Sequence, residues 1–115
     1  MQENRLTNVG TVSISTVSIA ENSSFLIVNI VDSGGVPIPD SEVCLFLEDE
    51  AAIEAQDCQG SLRSKVTDDF GLVVFTNLDS LSYHMASFKD GKKGVQTSEK
   101  PLNVNERRLV QIALE

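Results

Sequence analysis

Apolar and polar residues alternate through "TVSISTVSI", residues 11–19, with the two-residue period of a strand that buries one face. Val12 and Ile14 share one parity, and Val17 and Ile19 share the other. The phase therefore slips near Ser15 and Thr16, as at a bulge or where a strand changes sheets. "SFLIVNIV" is apolar at both parities and predicts a central strand. "DSGGVPIPD" follows with two glycines and two prolines, which predicts a turn. "SEVCLFL" predicts a third strand with Val43, Leu45 and Leu47 on one face.

"EDEAAIEAQDCQG" differs in kind, being acidic, rich in alanine and poor in β-branched residues. It predicts a short helix or a long surface loop. Beyond it, "SLRSKVT" and "LVVFTNL" predict a hairpin turned by "DDFG". "SYHMASFKD" predicts a strand ended by "DGKKG", whose Asp-Gly pair suits a tight turn. "VQTSEKPLNV" predicts a weaker edge strand, and "RRLVQIALE" closes the chain with Val110, Ile112 and Leu114 on one face. The sum is seven to eight short strands with turn signals every ~8–12 residues, the pattern of an all-β, antiparallel, immunoglobulin-like or prealbumin-like sandwich. Phe25, Ile27, Val43, Leu45, Phe75, Tyr83 and Ile112 are the expected core.

One domain is the expectation for 115 residues, with a polar, flexible segment at 1–9 and the sandwich over 10–115. Composition adds little to the fold but narrows function. The net charge of −8 argues against nucleic-acid binding, which needs a cationic surface. Six of the nine basic residues lie between Lys89 and Arg108, so the acidity is uneven. No apolar run is long enough to insert in a bilayer. "MQENRLTNVG" lacks the apolar stretch of a secretory signal, so either the protein stays in the cytosol or the chain is a piece of a longer one; the second is favoured.

Cys44 and Cys58 flank the acidic segment. A disulfide between them would close a loop of about 15 residues, contribute roughly 3 kcal/mol and pin the segment to the sandwich. The alternative is two free thiols, Cys44 packing as a small hydrophobe. Glu48, Asp49, Glu50, Glu54 and Asp57 could hold calcium, but the Asp-x-Asp-x-Asp-Gly spacing is missing, and a solvated face that meets a partner is the expectation. His84 stands alone, without a nucleophile elbow or a phosphate loop elsewhere in the chain. No catalytic residue, metal ligand or cofactor site is expected. Asp68 and Gly71 are expected to build a turn.

Three segments in order, "VDSGGVPIPDSEVCLFL", "VTDDFGLVVFTNL" and "LSYHMASFKDGKK", resemble the transthyretin-like, or carboxypeptidase regulatory-like, group of β-sandwiches. Cna B-type repeats, invasin-type bacterial immunoglobulin-like domains and macroglobulin domains share much of this grammar. The resemblance implies a non-catalytic structural or adhesion module of a larger secreted or cell-surface protein, flanked by other domains and touching protein or carbohydrate through its loops. It also leaves room for an accessory domain of a secreted enzyme, or a small standalone ligand- or calcium-binding sandwich. The first lysine is Lys65, so the first-strand lysine with which Cna B-type repeats form an isopeptide bond is missing.

Overall fold

A computed structural model describes residues 24–97 and 100–115. The strand expected over 11–19 lies outside the described residues. Seven strands and one short helix follow in chain order: β1 (Ser24–Val31), β2 (Glu42–Phe46), α1 (Asp49–Glu54), β3 (Arg63–Val66), β4 (Leu72–Leu78), β5 (His84–Lys89), β6 (Lys92–Gln96) and β7 (Arg107–Ala113). They form a three-stranded sheet in the order β4-β1-β7 and a four-stranded sheet in the order β3-β2-β5-β6. Sequence reading anticipates this all-β immunoglobulin-like sandwich. It misses one pairing: β1 and β7 run parallel, from Phe25 opposite Arg107 to Val31 opposite Ala113.

The core lies between the sheets. Leu26, Val28 and Ile30 of β1, with Phe75 and Ile112 on the neighbouring strands of the same sheet, share one core with Val43, Leu45 and Met85 of the other. Phe25 and Ile27, expected in the core, sit on the outer surface of their sheet, half-buried, because the opposite parity points inward. The two parities of "SFLIVNIV" are both apolar, so alternation alone cannot say which faces in. Phe75 and Leu78 have opposite parity yet are both buried. Asn77 reconciles them: its backbone is left-handed, with φ of 56°, and the β1–β4 register shifts there.

The "DDFG" turn does not make a hairpin. β3 pairs with β2 and β4 with β1, so the turn carries the chain from one sheet to the other. Asp68 does the turn work expected of it: its Oδ1 accepts from the Phe70 and Leu72 amides at 2.8 and 3.0 Å. Asp32 repeats the device, accepting from Gly34 and Val36 at 2.8 and 2.9 Å. Gly71 has φ of 76°, and a Cβ there would lie 2.6 Å from the Ile30 carbonyl oxygen, so only glycine fits. The expected strand over "VQTSEKPLNV" shifts upstream. Asp90 and Gly91, both left-handed, make the two-residue turn, and β6 begins at once with Lys92.

Candidate functional site

The segment between β2 and β3 forms the most elaborate surface feature among the described residues. Cys44 lies on β2 with its side chain on the outer surface of the four-stranded sheet, on the parity of Phe46. A disulfide joins it to Cys58 across a sequence separation of 14, with Cα atoms 5.4 Å apart. That bond draws the segment back across the sheet. Between its anchors, "DEAAIE" winds into α1, which is too short to persist alone. Packing supplies what length cannot. Ala52 is fully buried against Cys44, Phe46 and Ala86, and Phe88, Val95, Ala55 and Cys58 complete a second apolar cluster. The segment, expected as a short helix or a long surface loop, is a flap that carries a short helix and packs on the sheet.

A lysine closes the far end of the flap. Lys93 on β6 donates from Nζ to the Ile53 carbonyl at 2.6 Å and also to the Ala55 carbonyl. These are carbonyls that the end of a helix leaves without backbone partners, and the cation also suits the negative end of the helix. The same Nζ lies 5.6 Å from the centre of the Phe88 ring. Sequence reading singles out the acids and the cysteines and passes over Lys93, which looks like one residue of a basic turn.

Glu48, Asp49, Glu50, Glu54 and Asp57 are all exposed. Asp49 accepts from the Glu50 amide at 2.7 Å and Asp57 from the Gln59 amide at 2.9 Å. Among the described residues, no group of three or more His, Cys, Asp or Glu side chains is placed to hold a metal ion. At the base of the flap a groove of ≈ 580 Å³ separates the end of α1 from the β5–β6 turn. Ile53 and Phe88 give it an apolar floor, and Glu54, Lys89, Asp90 and Lys92 give it a charged rim of both signs. Ile53 is 55% exposed, so apolar area faces solvent beside the acids. His84 lies on β5 on the parity of Ala86, opposite Phe46 in the register and beside the flap.

The second structured feature is the approach to β7. Arg108 Nε donates to Glu106 Oε2 at 2.8 Å, and its Nη2 donates to Glu106 Oε1 at 3.0 Å. The same guanidinium donates to the carbonyls of Lys100 and Pro101, each at 3.0 Å. Glu106 Oε1 also accepts from the Asn103 amide at 2.8 Å. These bonds, that from Arg108 foremost, hold the Glu106 carboxyl below its ordinary pKa. On the opposite side, Tyr83 donates its hydroxyl to the Asp79 carbonyl at 3.0 Å. Burial and then the Asp79 charge push the Tyr83 pKa up.

No protein-family model matches the chain, and no curated protein matches it. Solved structures do resemble it. BcpA, the major pilin subunit of Bacillus cereus, aligns at 17% identity with a TM-score of 0.52 over 82% of this chain. A Pseudomonas aeruginosa protein with proposed carbohydrate binding aligns at 13% identity and 0.51, covering 82% of this chain and 90% of its own. A 3-chlorocatechol 1,2-dioxygenase from Rhodococcus opacus aligns at 12% identity and 0.49, too low to carry an argument. This chain spans 30% of the pilin subunit's length. At these identities the likeness is one of fold, an immunoglobulin-like sandwich shared with pilin and binding modules.

Proposed function

We propose that the chain is a non-catalytic structural and adhesion module of a larger secreted or surface protein. On this reading other domains flank it, and it touches a protein or carbohydrate partner through the flap. The observation that carries the reading is the Cys44–Cys58 disulfide holding an acidic flap against the sheet. A disulfide of this kind persists in oxidising compartments. It also keeps Glu48, Asp49, Glu50, Glu54 and Asp57 on a fixed surface, so a partner pays less ordering entropy on binding. The pilin and carbohydrate-binding neighbours are compatible with such work.

The test has two parts. Protein recovered from its native source is alkylated with and without reduction and weighed intact. Blocked thiols in an extracytoplasmic fraction are expected; free thiols in a cytosolic fraction would refute the compartment. Wild-type protein and a Glu48→Gln, Glu50→Gln, Glu54→Gln variant are then screened on arrayed glycans and on the flanking domains of the parent chain. Binding that the triple variant loses is expected. Binding unchanged by neutralising the flap would refute its role as the contact surface.

A further inference from the structure

The groove at the base of the flap has two walls of opposite charge. The end of α1 forms one wall. Glu54 lines it, and Glu50, four residues earlier on the same face of the helix, is exposed beside it. The β5–β6 turn forms the other wall, with Lys89 and Lys92 on either side of Asp90 and Gly91. Three lysines gather here, and they are not equivalent. Lys93 donates to the α1 carbonyls, and Lys89 donates to the Pro39 carbonyl at 3.3 Å. Lys92 is the exposed one of the three. Among the described residues the one ion pair joins Glu106 and Arg108, so Glu54 and Lys92 stand on opposite walls unpaired. Between the walls, Ile53 is 55% exposed above the half-buried Phe88.

We propose that this groove is the contact between two copies of the chain related by a two-fold axis. The proposal names the flap's partner, so it rests on the reading of the flap as a contact surface. A two-fold interface needs a patch that complements itself. Acid on one side, lysine on the other and an apolar centre give that property. Half a turn about an axis through the groove sets the Glu50–Glu54 wall of each copy against the Lys92 wall of the other. Ile53 of each copy then enters the other's groove over Phe88, and its exposed area leaves water. A partner of a single charge sign would pair with one wall and be repelled by the other. The disulfide and Lys93 hold α1 in place before contact, so little ordering is lost on pairing.

The molecule's overall charge sets the conditions. A net charge of −8 on each copy repels the other at long range. At physiological salt that repulsion is screened beyond about 8 Å, while groups in contact still pair. The interface also closes on itself. Each groove is filled by the other copy, so assembly stops at two.

Sedimentation equilibrium of the full 115-residue chain in about 0.15 M salt tests this. The apparent mass should rise with concentration from 12.5 kDa toward twice that value and stop there. Glu54→Lys alone sets lysine against lysine across the axis, and Lys92→Glu alone sets glutamate against glutamate. Each should weaken dimerisation at least about tenfold. Mixing the two variants in equal amounts should restore the dimer to the wild-type level, because each offers the charge the other lacks. The mixture also guards against misfolding, since a chain that had not folded would not recover its partner. A wild-type chain that stays monomeric up to about 1 mM overturns the proposal. Glycan or flanking-domain binding that is lost on neutralising Glu48, Glu50 and Glu54 would in that case still uphold the flap as a contact surface. A dimer that neither single variant weakens lies elsewhere on the molecule and overturns the proposal. A mass that climbs past two copies means head-to-tail assembly and overturns the two-fold arrangement.

Discussion

The four-stranded sheet carries Cys44, Phe46, Ala86, Phe88 and Val95 on its outer surface, and the three-stranded sheet carries Phe25, Ile27, Val74 and Leu109 on its own. Both surfaces are apolar, and only the first has a cover among the described residues. The difference is in the connections. β2 and β3 are joined by a segment long enough to fold back, with a cysteine to fix it and a lysine to receive its end. The β3–β4 connection is a tight turn that spends its residues on crossing between sheets. Apolar residues at both parities of a strand therefore report that the strand is sandwiched; they do not report by what.

Breaking the disulfide should have the largest effect on the covered side. Replacing Cys44 and Cys58 together by alanine removes the link that holds the flap and should cost about 3 kcal/mol. Thermal or denaturant unfolding monitored by circular dichroism measures it. The loss should be accompanied by new binding of a hydrophobic dye, because Phe46 and Phe88 become uncovered. A variant as stable as wild type would mean that Ala52 packing and Lys93 hold the flap unaided.

A matched pair of substitutions asks whether the two outer surfaces differ as their cover suggests. Val95→Thr places a hydroxyl under the flap and should cost about 1–2 kcal/mol. Val74→Thr makes the same change on the other sheet, at a residue that is 37% exposed, and should fall within about 0.5 kcal/mol of wild type. Equal costs, read from paired denaturant melts, would erase the distinction between the faces.

The sheets themselves are legible because alternation and turn residues act locally. The Asp90-Gly91 turn, the Asp68 and Gly71 turn, and the inward face of Val110, Ile112 and Leu114 can all be read without a partner strand. What escapes depends on long-range pairing. "SLRSKVT" and "LVVFTNL" look like a hairpin because adjacent strands usually pair, yet each finds a better neighbour in a different sheet. Phe25 and Ile27 look like core because they are apolar, and only the register with β4 and β7 turns them outward. In the flap, the two cysteines and five acids are visible in sequence. Lys93 is not, since its importance comes from a helix end 38 residues away in the chain.

Lys93→Met tests that contact more gently than the disulfide does. The methionine keeps the packing on Phe88 but leaves the Ile53 and Ala55 carbonyls to water. A loss of about 1 kcal/mol is expected, with faster exchange at the amides of α1 and little change in β1. If exchange rises everywhere equally, the lysine supports the whole sandwich and not the flap.

The smallest effect should come from the uncovered side, where the loop before β7 depends on the charge of Glu106. Its carboxyl is held below the ordinary carboxylate range, chiefly by the hydrogen bond from Arg108. A group whose folded pKa is depressed adds stability above its unfolded pKa and loses it as pH falls through the folded value. The contribution should therefore be intact at neutral pH, begin to fade near pH 4, the ordinary value, and vanish below the depressed one. Glu106→Gln removes the charge and should flatten that part of the stability curve while barely changing the melting temperature at pH 7, because the pair is open to solvent and screened. The covered face has no counterpart to this acid-sensitive latch, since Lys93 binds carbonyls and not carboxylates. Acid should accordingly loosen residues 100–106 first and leave α1 in place. Comparing amide exchange of the two regions between pH 5 and pH 3 reads this directly, and earlier loosening of α1 would reverse the assignment.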